Sequence, residues 1–166
     1  NVTVEIGSYV FKGGFEAASG ATLTIKGDGK TEHKGYITPV KFGNDAFDGL
    51  FNNNFVGSFH FKEMSDDEPV SVYGGLLLGG YEEESANDKA FVSNGGKVIL
   101  DGVTVAGFES ISTVDNSGSL IMKNNAAIAY NSDRAVELKN NSKMEMDSTS
   151  SVHHNYTPVA VQSSKL

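Results

Sequence analysis

The residues of this 166-residue chain best suited to chemistry are one Asp pair, one His pair and a single arginine. Two carboxylates can work as acid and base across a glycosidic bond. The pair is Asp66-Asp67, and adjacent residues on an extended chain point to opposite faces. Its setting, Ser65-Asp66-Asp67-Glu68-Pro69, reads as a solvated acidic turn. Histidine is the residue that most often holds a transition metal. On a strand the imidazoles of His153-His154 are expected to diverge, leaving two ordinary turn residues aligned with Ala129-Tyr130. Arg134 closes the polar stretch Asn131-Ser132-Asp133-Arg134, where a salt bridge to Asp133 or Glu137 is expected rather than catalysis.

The Gly-rich run from Gly74 to Gly80 lacks the Lys-Ser/Thr of a phosphate loop and reads as turns. Tyr81-Glu82-Glu83-Glu84, with Asp88, offers oxygen ligands for a hard cation but has the composition of a solvated turn. No nucleophile with a positioned base can be read. The sequence therefore assigns no catalytic residue, no metal and no cofactor.

The richest binding chemistry lies between Phe42 and Phe59. Asn44, Asp45, Phe47, Asp48, Phe51, Asn52, Asn53, Asn54 and Phe55 mix aromatic rings with amides and carboxylates. Rings supply contact area and amides supply directed hydrogen bonds, which suits a sugar or a protein partner. Three Phe within residues 47–55 also exceed what a solvated loop exposes, so the competing reading has these rings pinning the loop to a core.

The elements that must carry these residues follow from an internal repeat. Val98-Ile99-Leu100, Leu120-Ile121-Met122 and Met144-Glu145-Met146 share a pattern, at steps of 22 (98 to 120) and 24 (120 to 144) residues. A second column, Val92, Val114, Leu138 and Val161, keeps the same rhythm, and a third apolar position falls at Val105, Ile128 and Val152. Two residues beyond the second column stand Asn94, Asn116, Asn140 and Ser163, a polar column able to form a hydrogen-bonded ladder at an inner turn.

Each unit of 22–24 residues reads as three short strands with turns, one coil of a right-handed parallel β-helix, an all-β solenoid. The reading covers residues 1–166 as a single domain, with regular coils over 91–166 and irregular coils carrying insertions over 1–90. Leu23-Thr24-Ile25, Phe59-His60-Phe61 and Leu76-Leu77-Leu78 are placed on the first column, and Phe42 with Asn44 on the second. Ser164-Lys165-Leu166 repeats the opening of Ser142-Lys143-Met144, which suggests a piece of a longer solenoid whose next coil would be a stacking partner. A leucine-rich repeat would need helical periodicity, which is missing, and a two-sheet sandwich would not explain the constant period.

The opening Gly7-Ser8-Tyr9-Val10-Phe11, followed by Gly20-Ala21-Thr22-Leu23-Thr24-Ile25-Lys26-Gly27, resembles the first coils of pectin-lyase-like β-helices of bacterial and archaeal surface proteins, among them autotransporter passengers and adhesins. Phe51-Asn52-Asn53-Asn54, Phe91-Val92-Ser93-Asn94 and Gly74-Gly75-Leu76 are similar to the Phe-x-x-Asn and Gly-Gly-aliphatic motifs of chlamydial polymorphic outer-membrane proteins. From Leu120 onward neither motif occurs, and Gly95-Gly96 is followed by Lys97. The resemblance implies an extracellular or cell-surface location and a non-catalytic segment that displays a surface to a host-cell protein or glycan. Two alternatives stand beside it: a carbohydrate-active β-helix enzyme or polysaccharide-binding module, and a structural spacer.

Composition limits the remaining classes. A net charge of −8 with 13 Lys and Arg excludes the basic footprint that nucleic acid requires. With no Cys there is neither a disulfide framework nor a thiolate site. No apolar run has the length of a transmembrane helix. Asn1, Asn140 and Asn155 open Asn-x-Ser/Thr acceptor sequences for glycosylation.

Overall fold

The computed structural model describes residues 1–39, 41–42, 45–46, 57–60, 70–79, 89–108, 112–131, 134–155 and 157–162. The described residues form strands without helix, stacked as a parallel β-solenoid of about four turns. The first layer holds β1 (Val2–Gly7), β2 (Val10–Lys12) and β3 (Phe15–Ala17), and the second begins with β4 (Thr22–Gly27). An insertion follows with β5 (Glu32–Pro39), β6 (Lys41–Phe42), β7 (Asp45–Ala46), β8 (Gly57–His60) and β9 (Val70–Tyr73). The second layer then resumes with β10 (Gly75–Leu78) and β11 (Phe91–Asn94). Layer three is β12 (Lys97–Asp101), β13 (Val103–Ala106) and β14 (Ser112–Asp115). Layer four is β15 (Ser119–Lys123), β16 (Ala127–Ala129) and β17 (Arg134–Lys139). Layer five is β18 (Lys143–Met146), β19 (Ser151–His153) and β20 (Thr157–Gln162).

Like positions of successive layers form three five-stranded parallel sheets: β1-β4-β12-β15-β18, β2-β10-β13-β16-β19 and β3-β11-β14-β17-β20. Alternation along each strand sends one set of side chains inward. In the first sheet Leu23, Val98, Leu120 and Met144 stack in one column, as the repeat predicts. Leu77, Val105, Ile128 and Val152 stack in the second sheet. These columns share one apolar core with Phe91, Val136 and Leu138 of the third sheet. Burying each large side chain contributes about 1.5–3 kcal/mol. The outward positions carry charge matched between layers: Lys26 meets Glu5 at 3.3 Å and Lys123 meets Asp101 at 3.0 Å.

Four sequence assignments are corrected. Leu76-Leu77-Leu78 belongs to the second sheet, paired with β2 and β13, and not to the first. Phe59 lies in β8, antiparallel to β5 opposite Ile37, so the Phe59-His60-Phe61 segment is not on the first column. Phe42 belongs to β6, paired antiparallel with β7 in a separate two-stranded sheet, and not to the third sheet. In the third sheet it is Ser93 that stacks with Val114, while Val92 pairs with Thr113. The reason is the period of two: Phe91 fills the core, so Val92 turns outward and Ser93 inward. The buried Ser93 hydroxyl is satisfied by donating to the Gly96 carbonyl at 2.7 Å.

The Asn column is also modified. Asn116 donates to Asn94, but Asn140 donates to Asp115 at 2.8 Å, and all three Asn are exposed, not at an inner turn. Asn116 and Asn140 stand at φ 49° and 46°, the left-handed region that Asn tolerates better than most residues. Ser163 lies outside the described residues, as does Ser164-Lys165-Leu166. The buried ladder is elsewhere, at the turn after the second sheet. Asn131 Nδ2 donates to Asn155 Oδ1 at 2.8 Å, and Asn131 Oδ1 accepts from the Phe108 N–H at 3.0 Å. Asn155 in turn donates to the Ile128 carbonyl at 2.8 Å. Asn155 is therefore a buried structural amide, whatever its acceptor sequence.

At the turn of layer five, the Asp147 carboxylate accepts from Asn124 N at 2.8 Å, reaching across to layer four, and from Thr149 N at 3.0 Å and Ser150 N at 2.9 Å. The Asn124 backbone bond holds this carboxyl well below its ordinary value of 3.8.

Two outcomes follow. Asn131→Ala strands buried polar groups and is expected to lower unfolding free energy by about 3 kcal/mol, against less than about 1 kcal/mol for the exposed Asn116→Ala, in urea titrations. Because its folded pKa is depressed, Asp147 stabilises the fold above its ordinary 3.8, and the contribution is lost as pH falls from there towards the folded value. Melting temperatures of Asp147→Ala should therefore converge on those of the wild type in strong acid and lie below them at neutral pH.

Candidate functional site

The insertion leaves and re-enters the solenoid at one place, the turn between the first and second sheets of layer two. Backbones meet there closely enough to require glycine. A Cβ on Gly74, at φ 94°, would lie 2.3 Å from the Gly102 carbonyl oxygen, and one on Gly27 would lie 2.2 Å from it. That same carbonyl accepts from Gly29 N at 3.0 Å and Gly75 N at 3.1 Å, which closes the neck. Asp28 caps the outgoing turn by accepting from Lys30 N at 3.0 Å and Thr31 N at 3.1 Å. These bonds, that of the Thr31 hydroxyl first, hold its carboxyl below the ordinary range.

Beyond the neck, β5 pairs antiparallel with β9, Glu32 facing Tyr73 and Lys34 facing Ser71. The His33 ring Nε2 lies 2.8 Å from the Gly74 carbonyl and ties the two strands across the neck. Val70 and Val72 of β9 then pack on Leu76, Leu78, Ala106 and Ala129, the outward side of the second sheet. That contact explains why β10 and β13 are buried at every position, apolar on both faces, where an exposed strand would alternate. Thr104, buried among them, donates its hydroxyl to the Tyr73 carbonyl at 2.7 Å. Asn125, one layer on, reaches the Gly29 carbonyl at 3.3 Å.

The inserted strand covers the upper layers and leaves the lower ones open. The result is a groove of about 560 Å³, lined by Lys30, Ser71 and Tyr73 beside the neck and by Thr104, Asn125, Ala127, Thr149, Ser151 and His153 of the solenoid. The Tyr73 residue is 51% exposed. Among the described residues no Asp or Glu lines the groove.

His153 and His154 do not diverge. The Nδ1 atoms lie 2.7 Å apart and the ring centroids 5.0 Å apart. The reason is the backbone: His154 stands at φ 51°, so the strand alternation stops at His153. Its ring stacks on Tyr130 at 5.1 Å and 18°, while His153 meets the same Tyr130 edge-on at 5.8 Å. Burial, followed by the neighbouring His154 charge, lowers the His153 pKa. Burial raises that of the Tyr130 phenol.

Of the predicted binding residues, Asp45 opens β7, and Asn44, Phe47, Asp48, Phe51, Asn52, Asn53, Asn54 and Phe55 lie outside the described residues. Asp66-Asp67, Glu82-Glu83-Glu84 and Asp88 lie outside them too. Arg134 is the first residue of β17, opposite Thr157, so it begins a strand rather than ending a turn. Among the described residues no group of three or more His, Cys, Asp or Glu comes together as a metal site. No described helix is long and apolar enough to cross a membrane.

The groove residues were missed because they come from segments far apart in sequence, Lys30, Ser71, Thr104, Asn125 and Ser151. The available signal was the unbroken burial-type run Val103-Thr104-Val105-Ala106 after Leu76-Leu77-Leu78, which announces a covered outer face. The fold defines the chain as a parallel β-solenoid with an antiparallel sheet inserted into its second layer. No protein-family model, curated protein or solved structure matches it.

Proposed function

We propose that this chain is a non-catalytic segment of an extracellular or cell-surface protein of the pectin-lyase-like adhesin or passenger kind, and that it binds glycan in the groove beside the inserted sheet. The observation that carries the reading is the lining: Tyr73, half exposed, together with the hydroxyls of Ser71 and Ser151, the Asn125 amide, Lys30 and His153, and no carboxylate among the described residues. A tyrosine face covers the apolar side of a sugar ring while hydroxyls and amides meet its polar rim. A flat host-protein interface would ask for a larger apolar patch than this groove offers.

The carbohydrate-active alternative needs a pair of carboxylates flanking the scissile bond, and the described residues of the groove supply none. The predicted residues from Asn44 to Phe55 belong by sequence to the same insertion as Ser71 and Tyr73. A spacer would bind nothing.

A glycan array probed with the wild type, Tyr73→Ala and a deletion of residues 45–56 tests this. At least one glycan should be retained by the wild type and weakened tenfold or more by Tyr73→Ala, about 1.4 kcal/mol. Equal binding by wild type and Tyr73→Ala would remove the groove as the site, and an empty array would favour the spacer. Release of reducing ends from a bound polysaccharide would favour the enzyme.

A further inference from the structure

We propose that His153 and His154 together form a two-nitrogen site for divalent copper at the edge of the groove. The two Nδ1 atoms lie 2.7 Å apart, the length of a hydrogen bond in which one imidazole donates and the other accepts, according to tautomer. In the tautomer that carries its proton on Nε2, each neutral ring offers its Nδ1 lone pair. A borderline metal ion is an electrophile that fits such a pair, because neutral imidazole binds such ions through the same lone pair.

The spacing discriminates among metals. Two nitrogens at about 2.0 Å from an ion lie about 2.8 Å apart at right angles and about 3.3 Å apart at the tetrahedral angle. The observed separation matches adjacent corners of a square plane, the preference of copper, better than the tetrahedron of zinc. Copper also stands highest in the general affinity order of divalent first-row ions at nitrogen sites.

The pair is held in place before any ion arrives. Both rings rest against Tyr130, which is 8% exposed. The His154 carbonyl accepts from Tyr130 N at 3.0 Å, and the His153 carbonyl accepts from Asn155 Nδ2 at 2.9 Å. The buried Asn155 thus fixes the backbone of one ligand, and layer four fixes the other. With no third His, Cys, Asp or Glu grouped with the pair among the described residues, the remaining coordination positions are left for water or an exogenous ligand. His153 lines the groove, so the pair stands beside the ligand-binding region.

The test uses the whole chain and copper sulfate alone in a non-chelating buffer, followed by calorimetry and electron paramagnetic resonance. One ion should bind per chain, with a tetragonal spectrum showing coupling to two nitrogens. His153→Gln and His154→Phe should each weaken binding at least tenfold. The second keeps an aromatic ring against Tyr130, and a thermal melt confirms that the variant is folded. His33→Ala should bind as the wild type does. Undiminished copper binding by the double variant His153→Gln with His154→Phe, or a spectrum without two coordinated nitrogens, would overturn the site. Glycan plays no part in this measurement, so its result is separate from that of the groove.

Discussion

Everything in this molecule depends on in-register stacking of like residues. Neighbouring parallel strands lie about 4.8 Å apart, so each side chain sits directly on its counterpart in the next layer. A slip of one residue would turn every inward side chain outward. Register is held at the corners. Left-handed residues recur there in corresponding turns: Gly95, Asn116 and Asn140 after the third sheet, and Gly107, Tyr130 and His154 after the second. Polar side chains tie one corner to the next, the buried Asn131 to Asn155 and the exposed Asp147 to Asn124.

Such a scaffold accepts an insertion where the corner can open without disturbing the stack. Here the neck is built from backbone packed on backbone at Gly27, Gly29, Gly74 and Gly102, and the second layer resumes in register, with Gly75 opposite Val103. The inserted strand β9 then serves two purposes. It buries an apolar outer face that the solenoid alone would expose, and its edge turns a flat sheet into a groove. Structure and candidate function are thus linked through one strand, in which the alternate residues Val70 and Val72 pack while the adjacent Tyr73 is presented.

The sequence made the regular part legible because two apolar columns repeat without interruption. Val98, Leu120 and Met144, and Val105, Ile128 and Val152, stack as their spacing implies. The third sheet was one residue off at Val92, since a buried serine satisfied by a backbone carbonyl carries no hydrophobic signal. The second layer was harder to read because its strands are separated by the insertion: Leu23 pairs with Val98 across 75 positions, 98 minus 23. Two-sided burial also made Leu76-Leu77-Leu78 resemble any apolar strand. The groove was not legible, because it draws on four layers and the insertion, and the His pair was legible as a pair but not in its geometry, because a single left-handed residue reverses the expected direction of a side chain.

The central claim is that β9 lies on the outer face of the second sheet and so creates the groove. Methyl-to-methyl nuclear Overhauser contacts in a methyl-labelled sample read that placement directly. Contacts from Val70 and Val72 to Leu76, Leu78, Ala106 and Ala129 are the predicted result. Their absence, in a sample that still shows the Val98, Leu120 and Met144 stack, would mean that the insertion does not cover this face, and would contradict the account.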